Sequence, residues 1–149
     1  MGDESSQMLF SVKGFVFAIE VGELLEVAEI GAERISVSEG GVFSYKIDFR
    51  GNCIPVVDMA RRVSGMPTAV TGLLQLLVVE ADSHPFALII DKVLGVAKGA
   101  GIVYRFPEML RTEENHYIKA IYRLKNTMYL VFGAASMLND SELAELRAS

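Results

Sequence analysis

The sequence predicts an all-β protein that consists of two small barrels followed by a short C-terminal helix. Apolar residues occur in short runs, and many runs alternate with polar residues in the period of a half-buried strand. Glycine, asparagine, aspartate and proline separate these runs at short intervals, as turn residues do. Apart from a short segment at residues 59–63, a clear helical signal appears only near the C-terminus. Closure of short strands into barrels would remove exposed sheet edges.

Composition and charge narrow the class of protein. The chain has 149 residues, of which 51% are hydrophobic, so it can bury a substantial core without disulfides or metal ions. We therefore expect residues 1–149 to form a single domain. The net charge of −5 opposes attraction to phosphate backbones, and Arg61 and Arg62 form the only adjacent basic pair. The sequence predicts protein partners and no nucleic acid.

No stretch of the sequence predicts insertion into a membrane. The apolar runs at residues 73–79 and 87–90 are interrupted or ended by Gln75, Asp91 and Lys92. A membrane-spanning helix requires a run of about 18 apolar residues. The first seven residues carry two acidic side chains where a signal peptide would carry basic ones. We therefore expect a cytoplasmic protein.

The first half of the chain contains five β-rich runs. They cover residues 9–12, 15–21, 24–30, 42–49 and 53–57. Lys13 and Gly14 predict a tight hairpin between the first two runs. The third run fits both a helical period and alternation, and we predict an extended segment with one helical turn near Gly22. Pro55 lacks a backbone N–H, which predicts a strand edge or a bulge at that position.

A short helix and a linker predict the boundary between the two barrels. Asp58 precedes a helical segment at residues 59–63 as an N-cap, and Gly65 predicts a left-handed end. Residues 66–72 then form the expected boundary. The first barrel is predicted at about residues 8–65 and the second at about 73–133.

The second half repeats the pattern of the first. The predicted strands cover residues 74–80, 86–90, 93–97, 117–124 and 128–132, with turns at 82–85 and 125–127. Residues 98–115 lack a clean period and predict a long surface loop. The C-terminal helix is predicted at about residues 139–147, capped by Asn139 or Asp140. Its apolar face is Leu138, Leu143 and Leu146, which we expect to lie against a barrel.

The sequence contains no recognisable catalytic or metal-binding motif. His84 and His116 have no second ligand at a metal-binding spacing, and Ser64 lies outside a nucleophile elbow. The adjacent acids Glu113 and Glu114 predict solvated loop residues. Cys53 has no cysteine to pair with, and we expect a buried structural thiol. We therefore predict a protein without enzymatic activity, metal or cofactor.

An ordered set of motifs resembles the CheW family of chemotaxis coupling proteins. It begins with residues 17–27 and continues with Phe49-Arg50-Gly51 leading into residues 54–58. Residues 88–96 resemble a strand turn of the family in which two hydrophobic residues are followed by Asp, then by any residue, and then by Val. Residues 117–118 and 128–131, followed by 137–138, resemble its closing hairpin and C-terminal helix. The resemblance extends from about residue 9 to residue 146 and depends on the whole set.

The resemblance implies a fold and a function. Family members consist of two SH3-like five-stranded barrels that share a hydrophobic core. They couple the cytoplasmic tip of a chemoreceptor to the regulatory domain of a CheA-type histidine kinase. The resemblance places Leu24, Glu26 and Arg50 at the receptor-binding groove, and it assigns no residue to the kinase interface. For Arg50 an ion pair with Glu26 or a solvated turn is the alternative, and for Leu24 the alternative is ordinary core.

Several positions depart from the family pattern. The family's Asn-Leu-Arg-Gly turn is replaced by Asp48-Phe49-Arg50-Gly51, and Gly133 stands where an aspartate is common. A second hypothesis is a small-molecule-binding barrel, or a barrel enzyme, with its site between the two halves, where clefts often form. An adaptor predicts an exposed apolar groove, whereas an enzyme predicts a closed polar pocket.

Overall fold

The computed structural model describes residues 6–98, 101–113 and 115–148. Within these residues the chain forms twelve strands and two α-helices. The strands are β1 (Ser6–Val12), β2 (Phe15–Glu20), β3 (Leu24–Gly31), β4 (Ser36–Val37), β5 (Tyr45–Phe49), β6 (Asn52–Asp58), β7 (Leu73–Ala81), β8 (His84–Ile90), β9 (Lys92–Lys98), β10 (Ile102–Arg105), β11 (Ile118–Leu124) and β12 (Thr127–Phe132). The helices are α1 (Met59–Ser64) and α2 (Asp140–Arg147). The all-β class is confirmed.

The strands form two six-stranded sheets that do not follow the predicted division of the chain. Sheet I has the order β10-β11-β12-β2-β1-β9, and sheet II has the order β3-β7-β8-β6-β5-β4. Sheet I therefore combines strands from both ends of the chain, whereas sheet II uses its middle. Residues 66–72 connect α1 to β7, and both β6 and β7 belong to sheet II. The division into residues 8–65 and 73–133 is corrected accordingly, because β2 pairs with β12 and β3 pairs with β7.

Both sheets are curled, although their strand ladders stay open. The outer strands of sheet I are joined in sequence, since Lys98 ends β9 and Ile102 begins β10. Four residues of chain span at most about 14 Å, whereas the outer strands of a flat six-stranded sheet lie about 24 Å apart. The outer strands of sheet II are held close in the same way, because Gly31 ends β3 and Ser36 begins β4. Within the described residues no ladder joins the outer strands, so two open sheets of six strands replace the predicted closed barrels of five.

Tight turns confirm the predicted hairpins. Lys13 and Gly14 both have positive φ, at 52° and 83°, between β1 and β2. Two consecutive residues with positive φ are the pattern of a type I′ turn, which suits the twist of a two-stranded hairpin. The turn between β7 and β8 is shorter than predicted and consists of Asp82 and Ser83. Pro55 lies where β6 pairs with β5 alone, since its pairing with β8 begins at Val56.

Three segments differ from the sequence-based expectation. β10 lies within the predicted loop at residues 98–115, because the β-forming residues Ile102, Val103 and Tyr104, followed by Arg105, pair with β11. The strand predicted at residues 42–49 begins only at Tyr45. The prediction that Cys53 is buried is wrong: β6 directs Ile54 inward, so Cys53 points to the opposite face and is exposed.

The main hydrophobic core lies between the two sheets. It contains residues of sheet I, such as Phe10 and Phe132, together with residues of sheet II, such as Leu77 and Leu88. Strand alternation sends the neighbour of Leu77, Val78, into a second cluster formed only by sheet II residues. A third, smaller cluster belongs to sheet I. The shared core is what aligns the two sheets.

The two α-helices begin and end as their capping residues predict. The side chain of Asp58 accepts a hydrogen bond from the N–H of Ala60, and Gly65 ends α1 with φ 79°. Asn139 caps α2 through a capping box with Glu142, which resolves the choice between Asn139 and Asp140. Leu138 and Leu146 are buried in the shared core, and Leu143 packs against it. No helix in the described part of the chain is long and apolar enough to span a bilayer.

Candidate functional site

The structure brings together two of the three residues that the resemblance implied. Glu26 lies on β3, at one edge of sheet II, and Arg50 lies in the turn between β5 and β6. The Nη2 atom of Arg50 donates to Oε1 of Glu26 at 3.0 Å. The two side chains are 68% and 39% exposed, so the pair is open to solvent. Its contact across the sheet is a direct consequence of the curl of sheet II.

Leu24 points away from this pair because of a β-bulge. Leu24 pairs with Val79, whereas Glu26 pairs with Val78, so Leu25 has no partner of its own in the ladder. Val79 faces the shared core and Val78 faces the second cluster. Leu24 is accordingly half-buried and packs against the shared core. The alternative of ordinary core, raised by the sequence, describes Leu24 in part.

The exposed apolar area on β3 comes from residues that the sequence analysis did not single out. Leu25 is 40% exposed and Val27 is 43% exposed. They flank Glu26 on a strand that pairs on one side only, with β7. The alternation of Leu25 and Val27 was visible in the sequence, but the face they occupy depends on the bulge. Val27 pairs with Leu77 of the shared core and therefore lies on the opposite face of β3 from Glu26, which pairs with Val78 of the second cluster. We call this strand edge, with Leu25, Glu26, Val27 and Arg50, the β3 surface.

Arg50 is held by its turn and by an aromatic ring as well as by Glu26. Arg50 and Gly51 both have positive φ, at 52° and 84°, so the turn is tight. The guanidinium carbon lies 4.8 Å from the centre of the Phe49 ring, within the range of a cation–π contact. Phe49 is the residue that replaces the family's leucine. This departure adds a stacking partner for Arg50.

A second ionic group fixes the 3-10 turn that precedes β3. Lys119 on β11 donates to Glu20 and to Glu23, whose Oε2 lies 2.9 Å from the ammonium nitrogen. The other oxygen of Glu23 accepts from the N–H of Ala134 at 2.7 Å. The turn Val21–Glu23 is thereby tied to sheet I. This linkage sets the position at which Leu24 enters β3.

The Lys119 linkage should depend on pH. Burial lowers the pKa of Lys119, but hydrogen bonds and charges from Glu20 and Glu23 outweigh it, and the pKa is raised above 10.5. A raised pKa in the folded state means that the stabilisation is complete below 10.5 and is lost as pH rises through the folded-state pKa. Replacing Lys119 with glutamine should therefore lower the urea midpoint at pH 8, and the difference from the wild type should shrink as the pH rises above 10.5. The same substitution at the exposed Lys125 is the control and should change the midpoint little at pH 8, and an equal loss in the two variants would contradict this assignment.

A separate cleft lies where β5, β6 and the two helices meet. Its volume is about 500 Å³. The residues that line it include Val42, Arg61, Arg62, Pro67, His116 and Glu142. None of the three residues that the resemblance implied lines it. The cleft is open and polar, which matches neither the exposed apolar groove expected of an adaptor nor the closed pocket expected of an enzyme.

The two histidines lie apart, and each bonds a main-chain carbonyl. Nδ1 of His84 lies 2.8 Å from the oxygen of Asp82, and Nδ1 of His116 lies 2.9 Å from the oxygen of Ser136. Among the described residues, no group of three or more His, Cys, Asp and Glu side chains is arranged to hold a metal ion.

Comparison with known proteins gives a family and a fold. The model of the family described as "CheW-like domain" matches residues 6–142. The crystal structure of the scaffolding protein TtCheW from Thermoanaerobacter tengcongensis is similar, with a TM-score of 0.73 and 18% sequence identity. The similarity covers 93% of this chain and 97% of that one. No curated protein matches the chain. Because the family model covers nearly the whole chain, this protein belongs to the CheW-like domain family.

Proposed function

We propose that this protein is a non-catalytic adaptor that couples a chemoreceptor to a CheA-type histidine kinase in a chemosensory pathway. The observation that carries the proposal is the match of the CheW-like domain family model to residues 6–142. The similar fold of TtCheW, described as a scaffolding protein, supports it. In this role the protein works in the cytoplasm, where the receptor tip and the regulatory domain of the kinase are located.

The β3 surface is our candidate for the receptor-binding site. Leu25 and Val27 offer exposed apolar area on the edge strand β3, and Glu26 and Arg50 offer one acidic and one basic group on the opposite face of that strand from Val27. A partner that lies along this open strand edge would contact both faces of β3, so that apolar and charged groups would both enter the interface. Arg50 also presents a planar fork of donors, of which Nη2 is engaged by Glu26. Leu24 contributes by holding β3 against the core.

Arg50 provides the most direct test of this surface. Replacing Arg50 with alanine should weaken binding to the cognate receptor tip by about 1–3 kcal/mol, because the complex would lose charge-assisted hydrogen bonds. The free energy of unfolding should change by less than about 1 kcal/mol, since the Glu26–Arg50 pair is exposed. Binding is measured by calorimetry with a receptor-tip fragment, and stability by urea unfolding. Arg34, an exposed arginine in another turn, is the matched control.

Substitutions at Leu24 and Val27 separate effects on receptor binding from effects on the stability of the fold. Leu24→Ala should reduce stability by about 1–2 kcal/mol, less than the roughly 2–5 kcal/mol of a fully buried leucine. Val27→Ala should reduce receptor binding with little change in stability. Binding of the isolated kinase regulatory domain should persist in Arg50→Ala if the receptor and kinase sites are separate. Unchanged receptor binding by both Arg50→Ala and Val27→Ala would exclude the β3 surface as the receptor site.

A further inference from the structure

The charged side chains in the cleft between β5, β6, α1 and α2 are unequally engaged. Asp58 accepts three hydrogen bonds, from the N–H of Ala60 and from the N–H and hydroxyl of Thr68. Arg62 donates to the main-chain oxygen of Met137 and to the carboxylate of Glu142. These acidic and basic groups therefore have their partners within the fold.

Arg61 is the exception. It lines the cleft and is exposed, and within the described residues it forms no ion pair and no side-chain hydrogen bond. Asp58, Arg62 and Glu142 use their polar atoms within the fold, whereas the N–H donors of Arg61 have no partner among the described residues and can bind a ligand. A guanidinium group matches a carboxylate in shape, since its parallel N–H donors can bond both oxygens.

Other residues of the cleft indicate which further chemical groups a ligand with a carboxylate could carry. Val42 and Pro67 are exposed apolar residues that line it. The N–H of Val42 donates to Glu145 of α2 at 2.9 Å, so this side of the cleft is fixed in place. His116 bonds a carbonyl oxygen through Nδ1, which assigns the proton of the neutral ring to Nδ1 and leaves Nε2 as an acceptor. The volume of about 500 Å³ lies within the range of small-ligand sites.

We propose that this cleft binds a carboxylate carried on a short apolar body, with Arg61 bonding the carboxylate. The apolar body would contact Val42 and Pro67. The carboxylate belongs either to a free small acid or to the C-terminus of a polypeptide, which share this chemistry. The proposal is independent of the receptor site, since Leu25, Glu26, Val27 and Arg50 do not line the cleft.

A matched pair of probes tests the recognition of the carboxylate. N-acetyl-leucine and N-acetyl-leucinamide have nearly the same shape, but only the first is charged. Titration of the ¹⁵N-labelled protein with N-acetyl-leucine should give saturable amide shifts at residues 42–45 and 61–62. The amide probe should bind at least about tenfold more weakly, because it lacks the charge-assisted bonds. Equal binding of the two probes, or shifts that do not saturate, would overturn the proposal.

Substitution of Arg61 tests the residue itself. Arg61→Gln should weaken binding of N-acetyl-leucine at least about tenfold, whereas Arg105→Gln, at an exposed arginine of β10 outside the cleft, should leave it unchanged. Wild-type binding by Arg61→Gln would overturn the proposal, and the two-probe comparison on the wild type decides it if that variant does not fold. A longer probe, acetyl-Ala-Ala-Leu with a free carboxylate, identifies the source. Tighter binding than N-acetyl-leucine indicates a chain terminus, and weaker binding indicates a free acid.

Discussion

Replacing Phe132 with alanine should lower the free energy of unfolding by about 3–5 kcal/mol, the range for a large aromatic residue in a packed core. Phe132 is fully buried at the end of β12. Its ring lies 4.7 Å from that of Phe17 and 5.7 Å from that of Phe10, and Tyr117 meets it edge-on at 5.0 Å. Removal of the ring would leave a cavity where β12, β2 and β1 join.

Urea unfolding of Phe132→Ala beside Phe15→Ala measures this effect. Phe15 is 61% exposed at the start of β2, so its truncation should change stability by about 0.5 kcal/mol or less. The pair compares the same substitution at a buried and an exposed position of sheet I. A loss below about 1 kcal/mol for Phe132→Ala would show that this cluster is not central to the shared core.

Replacing Arg62 with alanine should cost about 3 kcal/mol of stability. Removing one partner of a buried ion pair typically costs about 3–5 kcal/mol, because the other charge is left without compensation. The side chain of Arg62 is 20% exposed and that of Glu142 is 9% exposed, so we expect the lower end of this range. The substitution would also leave the main-chain oxygen of Met137 without the donor that Arg62 provides.

A double-mutant cycle with Glu142→Gln isolates the pair. Glutamine at position 142 should destabilise the wild type more than it destabilises Arg62→Ala, with a coupling of about 1–2 kcal/mol. The neighbouring Arg61, which is exposed, provides the matched control, and Arg61→Ala should change stability by about 0.5 kcal/mol or less. Additive effects at Arg62 and Glu142 would mean that this ion pair does not contribute to holding α2 in place.

Local signals in the sequence predicted local structure well. Lys13 and Gly14, Asp58, Gly65 and Asn139 each act on residues within a few positions, and each forms the predicted turn or cap. Long-range pairing left no comparable signal. Nothing in β2 specifies that it pairs in parallel with β12, so the boundary of the two units was placed in the wrong part of the chain.

In the candidate site, too, the sequence predicted only part of the arrangement of the side chains. The contact of Glu26 with Arg50 was foreseen as an alternative, because ion pairs between exposed side chains are common. The orientation of Leu24 was not, since a single extra residue in β3 changes which face a side chain occupies. Exposure of Leu25 and Val27 follows from that bulge and from the edge position of β3. The cleft was missed because its residues come from segments far apart in sequence.

The interleaved sheets also determine the order in which the protein becomes foldable during synthesis on the ribosome. All strands of sheet II lie between Leu24 and Ile90, so its pairing partners are available once that part of the chain has emerged. The hairpin of β1 and β2 emerges first, yet it must wait for β9 and β12, more than 70 residues later. Contacts of such high sequence separation slow folding and leave strand edges exposed in the nascent chain. Among the described strands, β1 and β2 are therefore the ones whose partners in the sheet follow them at the greatest distance along the chain.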